Sequence, residues 1–238
     1  FTPKRSFINR IAKKSIEEIG DSCWHCHAGI GAFVIQIAIK FNVPLIIWGE
    51  STAEEGCRLS YYDSIKKDVF DENYFTRISA RQNVEEMSDD NIPLREFEIF
   101  RYPTSEDYKS AGIEGFHLGD YQFWDEERRT EFIIREFGWE EDDVEGAYKR
   151  YKSVECIMPG LHDWTKFLKR GYGRATDQAT KDVRAGLLTR EEGFDIINNI
   201  DPKRPKILDY FLEQTGMTEK ELIDAVKSLR VGNAKKLL

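Results

Sequence analysis

Apolar residues recur at helical spacing near the start of the chain. Phe7, Ile8, Ile11, Ile16 and Ile19 mark one face of a helix over 4–19, and Gly20 is its stop. Residues 28–41 are apolar on nearly every side, which predicts a helix sandwiched inside the protein and too short to span a bilayer. Pro44-Leu45-Ile46-Ile47-Trp48 is a short β-rich run bounded by Pro and Gly, as in a parallel strand covered on both faces. A second strand of this kind is expected over 115–121, followed by an amphipathic helix over 126–137. The segment after Glu50 is a polar loop, 66–82 carries one or two short helices, and 88–103 is mixed. From Asp163 onward only helices are expected: 165–170, 177–187, one opened by the capping box at Thr189, then 205–216 and 218–229.

This order predicts an α/β domain over 1–160 with a parallel sheet, and a helical region over 161–238. The first strand comes only at residue 44, and the chain starts at Phe1, so the α/β domain is expected to be N-terminally incomplete. In open parallel sheets ligands bind outside the carboxyl ends of the strands, which directs attention to Gly49 and Glu50.

Composition narrows the function classes. A net charge of −8 argues against broad nucleic-acid or membrane-surface binding. Residues 1–14 lack the apolar stretch of a signal peptide, and four cysteines in 238 residues are no disulfide framework. The expected location is cytoplasmic.

Three groups of residues invite chemistry. Cys23 and Cys26 have the spacing that lets two thiolates reach one metal ion, with His25 and His27 inside the motif and Cys156 or Cys57 as a distant third ligand. A pair of reduced, partly buried cysteines that hold no metal is the competing reading. Glu50, at a strand end beside Gly49, is placed for a hydroxyl, an amine or Mg²⁺, or else fixes a loop. The run KFLKRGYGR, from Lys166 to Arg174, sets four cations around two glycines. Glycines let a backbone approach an anion and arginines grip phosphates in a fork, which favours phosphate binding over a solvated cationic face. His162 and Asp163 are adjacent in sequence and so are not expected to face one another.

With these residues in view, CWHCHAGIGAF, NVPLIIWGES, LGDYQFWDEE and DWTKFLKRGYGRATDQATKDVRAGLLTREEGFDII together resemble the N-acetyl sugar amidotransferases of bacterial surface-polysaccharide synthesis. These are ATP-pyrophosphatase, or PP-loop, enzymes. The resemblance implies a Rossmann-like PP-loop fold, ATP with Mg²⁺ as cosubstrate, and an N-acetylated, nucleotide-linked sugar as substrate. It also implies a partner glutaminase and an ammonia-channel protein. The family's Ser-Gly-Gly-x-Asp-Ser loop does not occur in the chain, so this polypeptide alone is expected not to hydrolyse ATP. Related PP-loop tRNA-thiolating enzymes carry a CxxC pair and one later cysteine on an iron–sulfur cluster. A sulfur-transfer enzyme and a non-catalytic binding module are therefore the alternatives.

On this resemblance Glu50 would face the nucleotide or the reacting amide, and Lys169, Arg170 and Arg174 would hold phosphates. Gly49, Lys166, Tyr172, Gly173 and Asp177 would line the substrate and nucleotide site, with Tyr172 stacking on a sugar or base. Cys23, Cys26 and Cys156, with His25 and His27 in reserve, would hold zinc or an iron–sulfur cluster.

Overall fold

The computed structural model describes residues 2–49, 72–122, 125–230 and 234–235. Its elements are α1 (Arg5–Ile19), α2 (Trp24–Phe41), β1 (Leu45–Trp48), a π-helical turn (Tyr74–Ser79), α3 (Val84–Met87), two 3-10 turns, α4 (Ser105–Ser110), β2 (Glu114–His117), a further 3-10 turn (Leu118–Asp120) and α5 (Glu126–Phe137). Then follow α6 (Pro159–Arg170), α7 (Arg174–Ala185), α8 (Arg190–Ile200), α9 (Ile207–Thr215) and α10 (Glu219–Ser228). Among the described residues no single helix is long and apolar enough to cross a membrane. Glu50, Cys57, the polar loop and the first part, 66–71, of the one or two short helices expected over 66–82 lie outside the described residues.

The chain forms two compact units, and they divide it differently from the expected 1–160 and 161–238. One combines Phe1–Cys23 with Gly138–Leu238, and the other is Trp24–Phe137. The reason is hydrophobic. α1 buries Phe7, Ile11, Ala12 and Ile16. Ala12 and Ile16 share one core with Leu161 and Trp164 of α6, Leu208 and Phe211 of α9, and Leu222 and Val226 of α10. A helix of 15 residues with one apolar stripe is marginal alone, and its stability comes from the face it buries.

Local signals set the ends of the helices in this first unit. Gly20 takes the left-handed conformation, φ 62°, and its N–H closes α1 on Ile16 and Ser15. Thr189 and Thr218 each form the capping box that their T-x-x-E sequences specify, with Glu192 and Glu221.

In the second unit β1 and β2 pair in parallel, in register from Leu45↔Glu114 to Trp48↔His117. The sheet differs from expectation in two respects. β2 ends at His117, and a 3-10 turn takes up Leu118–Asp120 of the strand expected over 115–121. Ile46 and Trp48 are buried, but Ile47 is 54% exposed and Leu45 45%, so β1 is covered on one face. α2 likewise has an exposed side, with Ile30, Val34 and Phe41. Its buried stripe is Trp24, Ala28, Gly31, Ala32, Ile35 and Ala38, which is small apart from the first residue and Ile35. Small residues let large rings close in. A Cβ on Gly31 would stand 2.4 Å from the Phe75 ring. Ile35, Ala38, Ile46, Trp48, Phe75, Tyr108 and Ile113 form the core here.

Candidate functional site

The residues expected at the carboxyl end of the sheet come first. Trp48 and His117 end the paired strands side by side, their rings stacked with centroids 6.2 Å apart. The Trp48 indole N–H is buried and has no partner among the described residues. Gly49 follows, and among the described residues nothing lies within 4 Å of where its Cβ would be. Trp48 also lies 5.9 Å, ring to ring, from Phe75, which stacks on Tyr102 at 5.3 Å. Phe75 and Tyr102 line a cavity of about 570 Å³ together with Arg77, Gln82, Arg101 and Thr104. The Gln82 side-chain oxygen is buried there without a partner among the described residues. Arg77 is held by both carboxylate oxygens of Glu86, at 2.7 Å each, and Arg101 by Glu85.

The cationic run lies in the first unit and has a different character. Its residues are engaged with the fold. α6 and α7 are joined by Gly171-Tyr172-Gly173, and two ion pairs cross that turn, each between residues eleven apart. Arg174 Nε donates to Asp163 at 2.6 Å, and Lys166 pairs with Asp177. Lys169 is only 7% exposed, and its ammonium donates to the carbonyls of Ile19 at 2.5 Å and Gly20 at 3.4 Å. It therefore satisfies the last carbonyls of α1, where the helix dipole also favours a cation. Lys169 and Arg174, both expected at a phosphate, thus have partners within the fold. Lys166 also lies 4.9 Å from the centre of the Tyr172 ring. Arg170 is the cation of the run with no ion pair or hydrogen bond recorded among the described residues.

Gly173 is required by what stands opposite. A Cβ there would lie 2.6 Å from an oxygen of Asp201. Asp201, from the end of α8, accepts from the backbone N–H groups of Gly173 (2.9 Å), Ala175 (3.1 Å) and Thr176 (3.3 Å) and from the Thr176 hydroxyl (2.5 Å). It caps α7 from a distant point in the sequence. Farther along α7, Asp182 accepts from Tyr148 Oη at 2.6 Å and from the Lys149 ammonium at 2.7 Å. Burial first, and then the bond to Asp182, push the Tyr148 hydroxyl well above its usual pKa. The Gln178 side-chain oxygen accepts from Tyr148 N–H at 3.2 Å.

The cysteine motif is not a separate knot. α2 starts at Trp24, so His25, Cys26 and His27 lie in its first turn and Cys23 just precedes it. Cys23 belongs to the first unit and Cys26 to the second. Cys156 lies exposed before α6 and accepts from Met158 N–H at 3.4 Å.

Cys23 has other company in its own unit, and sequence reasoning missed it. Asp21 is 3% exposed. Its Oδ1 accepts from His162 Nδ1 at 2.8 Å and from the Cys23 backbone N–H at 3.0 Å. The Cys23 side chain hydrogen-bonds the Ser22 hydroxyl at 3.5 Å. Burial opposes charge on His162, but Asp21 and then Cys23 outweigh it and raise the imidazole to about 10. His162 and Asp163, adjacent in sequence, thus face different partners, Asp21 and Arg174. Asp21 and His162 are 141 residues apart, and no local pattern joins them.

No curated protein matches the chain. Residues 145–234, which include α6–α10 and most of this network, match the family model described as LPS biosynthesis protein WbpG-like, C-terminal domain, and this supports a role in bacterial polysaccharide biosynthesis.

Proposed function

We propose that the chain serves ATP-dependent amidotransfer to an N-acetylated, nucleotide-linked sugar in lipopolysaccharide or related glycan synthesis. The observation that carries this reading is the match of residues 145–234 to the WbpG-like C-terminal domain. The amidotransferase-like segments of the sequence add the reaction. An amide carbonyl is a poor electrophile. Attack of its oxygen on the α-phosphorus of ATP expels pyrophosphate and leaves an adenylated imidate. Ammonia then adds to the imidate carbon, and AMP departs with the former amide oxygen. The product is an acetamidino group. Mg²⁺ neutralises the phosphates, and a glutaminase with a channel-forming partner supplies ammonia.

Such chemistry needs positioning and electrostatic stabilisation more than a nucleophile. A PP-loop-type fold is consistent with α2 leading into β1 and with the parallel pairing of β1 and β2. The strand ends favour a site at Gly49 and the neighbouring Glu50, with the Trp48 N–H as a donor. The adjoining cavity of about 570 Å³ is of a size that holds a small-molecule ligand. In the cationic run Arg170 is the residue we assign to phosphate, because Lys166, Lys169 and Arg174 have other partners.

The test uses the complete natural polypeptide with ATP, Mg²⁺, ammonium and a set of nucleotide-linked N-acetyl sugars, read by mass spectrometry. The expected result is one sugar product in which an amide oxygen has become NH, formed together with AMP and pyrophosphate. Release of AMP without a sugar product, or no dependence on an N-acetyl group, would reject the reading.

A further inference from the structure

We propose that the groove between α7 and α8 binds an amphiphile with one hydrocarbon chain and a phosphate head, the phosphate held by Arg184 and Arg190. The proposal lies within one compact unit and is independent of the amidotransfer reading.

The groove follows from the local sequence. Gly186, at φ 75°, ends α7, and the capping box of Thr189 opens α8 soon after, so the two helices form a hairpin. Gly193 lets them close together, since a Cβ there would stand 3.1 Å from Val183 Cγ2. Ala179 and Gly193 thus line the groove without filling it, and Ile197 and Phe194, which is 49% exposed, extend the apolar lining. The space is about 360 Å³, within the range of small-molecule sites. From Thr176 to Val183 it runs about 10 Å along α7.

Charge gives the groove a direction. Arg184, near the end of α7, and Arg190, at the start of α8, flank the turn, so both cations stand at one end of an otherwise uncharged lining. Elsewhere in this unit Lys149, Lys166, Arg174 and Arg204 each hold a carboxylate. Arg184 and Arg190 have no carboxylate partner among the described residues. Arg184 Nε donates to the Thr180 carbonyl at 3.2 Å, which steadies the guanidinium and leaves its terminal N–H groups for a ligand. Arg190 lies over the Phe194 ring at 5.4 Å and joins the cationic end to the apolar lining.

Two guanidiniums match the charge of a phosphate dianion and grip it in forks. The apolar run leading away from them matches a hydrocarbon chain on that phosphate, and taking the chain out of water drives binding. Inorganic phosphate would leave the apolar lining unused, and a neutral lipid would leave the guanidiniums unmet. The net charge of −8 disfavours an anionic bilayer, so the ligand is a single amphiphile molecule.

The test is calorimetric titration of the full chain with farnesyl phosphate, below the concentration at which it forms micelles, beside farnesol and inorganic phosphate. Farnesyl phosphate is expected to bind at about one per chain, and the other two at least about 10-fold more weakly. Arg184→Gln and Arg190→Gln, both at exposed positions, should each weaken its binding about 10- to 100-fold. Thr180→Trp, at an exposed position of the lining, should fill the groove and abolish binding. Failure of farnesyl phosphate to bind the wild type would overturn the proposal. So would equal binding of farnesol, or unchanged affinity in a folded variant lacking both arginines. Sedimentation of the ligand-free chain tests the competing occupant. Self-association that Phe194→Asp abolishes, with no farnesyl phosphate bound by the wild type, would give the groove to a second copy and overturn the proposal as well.

Discussion

The first unit, Phe1–Cys23 with Gly138–Leu238, and the second, Trp24–Phe137, are held by different kinds of contact. In the first, charged and polar side chains tie elements together around the apolar core shared by α1, α6, α9 and α10. Asp163 binds Arg174, Lys169 closes α1, Asp201 caps α7, and Asp182 holds Tyr148 and Lys149. In the second, rings do most of this work. Trp24 meets Phe97 and Phe100 at 5.6 and 5.8 Å, and Trp48 meets Phe75 and His117. The paired cations there, Arg77 and Arg101, have exposed carboxylate partners, which stabilise little. The difference teaches that a dense charged motif is not by itself a binding site. In the first unit most of the motif is the scaffold, and the parts left for ligand chemistry are few.

That contrast can be broken or sharpened by substitution. The largest effect in the second unit is expected from Trp24→Ala, which removes a fully buried indole and its 2.8 Å bond to the Gln82 carbonyl. A cost of about 3–5 kcal/mol is expected. Hydrogen exchange should show loss of protection within 24–137 while α9 and α10 keep theirs. Equal loss in both units would erase the distinction.

In the first unit, Asp201→Ala uncaps α7 and leaves buried N–H groups without an acceptor. The expected cost is about 1–3 kcal/mol, seen as a lower denaturation midpoint with an unchanged denaturant slope. A change below a few tenths of a kcal/mol would show that water serves as well.

The smallest effect concerns pH. Tyr148 has a raised pKa in the folded state, so its contribution to stability is present below the unfolded value of about 10 and falls away as pH rises above it. Wild type should lose stability above about pH 10 more steeply than Tyr148→Phe. Parallel profiles would show that Asp182 does not hold the hydroxyl in solution.

Much of the helical unit was legible in the sequence because its end signals are local. Gly20, the Thr189 box and the Thr218 box fix helix ends through residues within five positions. The sheet was legible as two short strands, but its cover was not. β1 reads as a continuous apolar run whether one face is covered or both, and only the packing partner decides. The cysteine motif was visible by spacing, whereas Asp21–His162 was not, since 141 residues separate the two. The cationic run was the instructive case. Composition showed four cations and two glycines, but Asp163 and Asp177, which neutralise two of them, lie across a turn whose geometry no helical period describes.

The central claim is that this run is mainly scaffold. The most direct measurement is thermal unfolding of Arg174→Ala beside Arg170→Ala, each with and without pyrophosphate. Arg174→Ala leaves Asp163 buried and unpaired, since that side chain is 5% exposed, and should cost about 3–5 kcal/mol. Arg170→Ala should change stability by less than about 0.5 kcal/mol and weaken any stabilisation by pyrophosphate. An Arg174→Ala protein that unfolds with wild type yet no longer responds to pyrophosphate would contradict the account and return Arg174 to the phosphate.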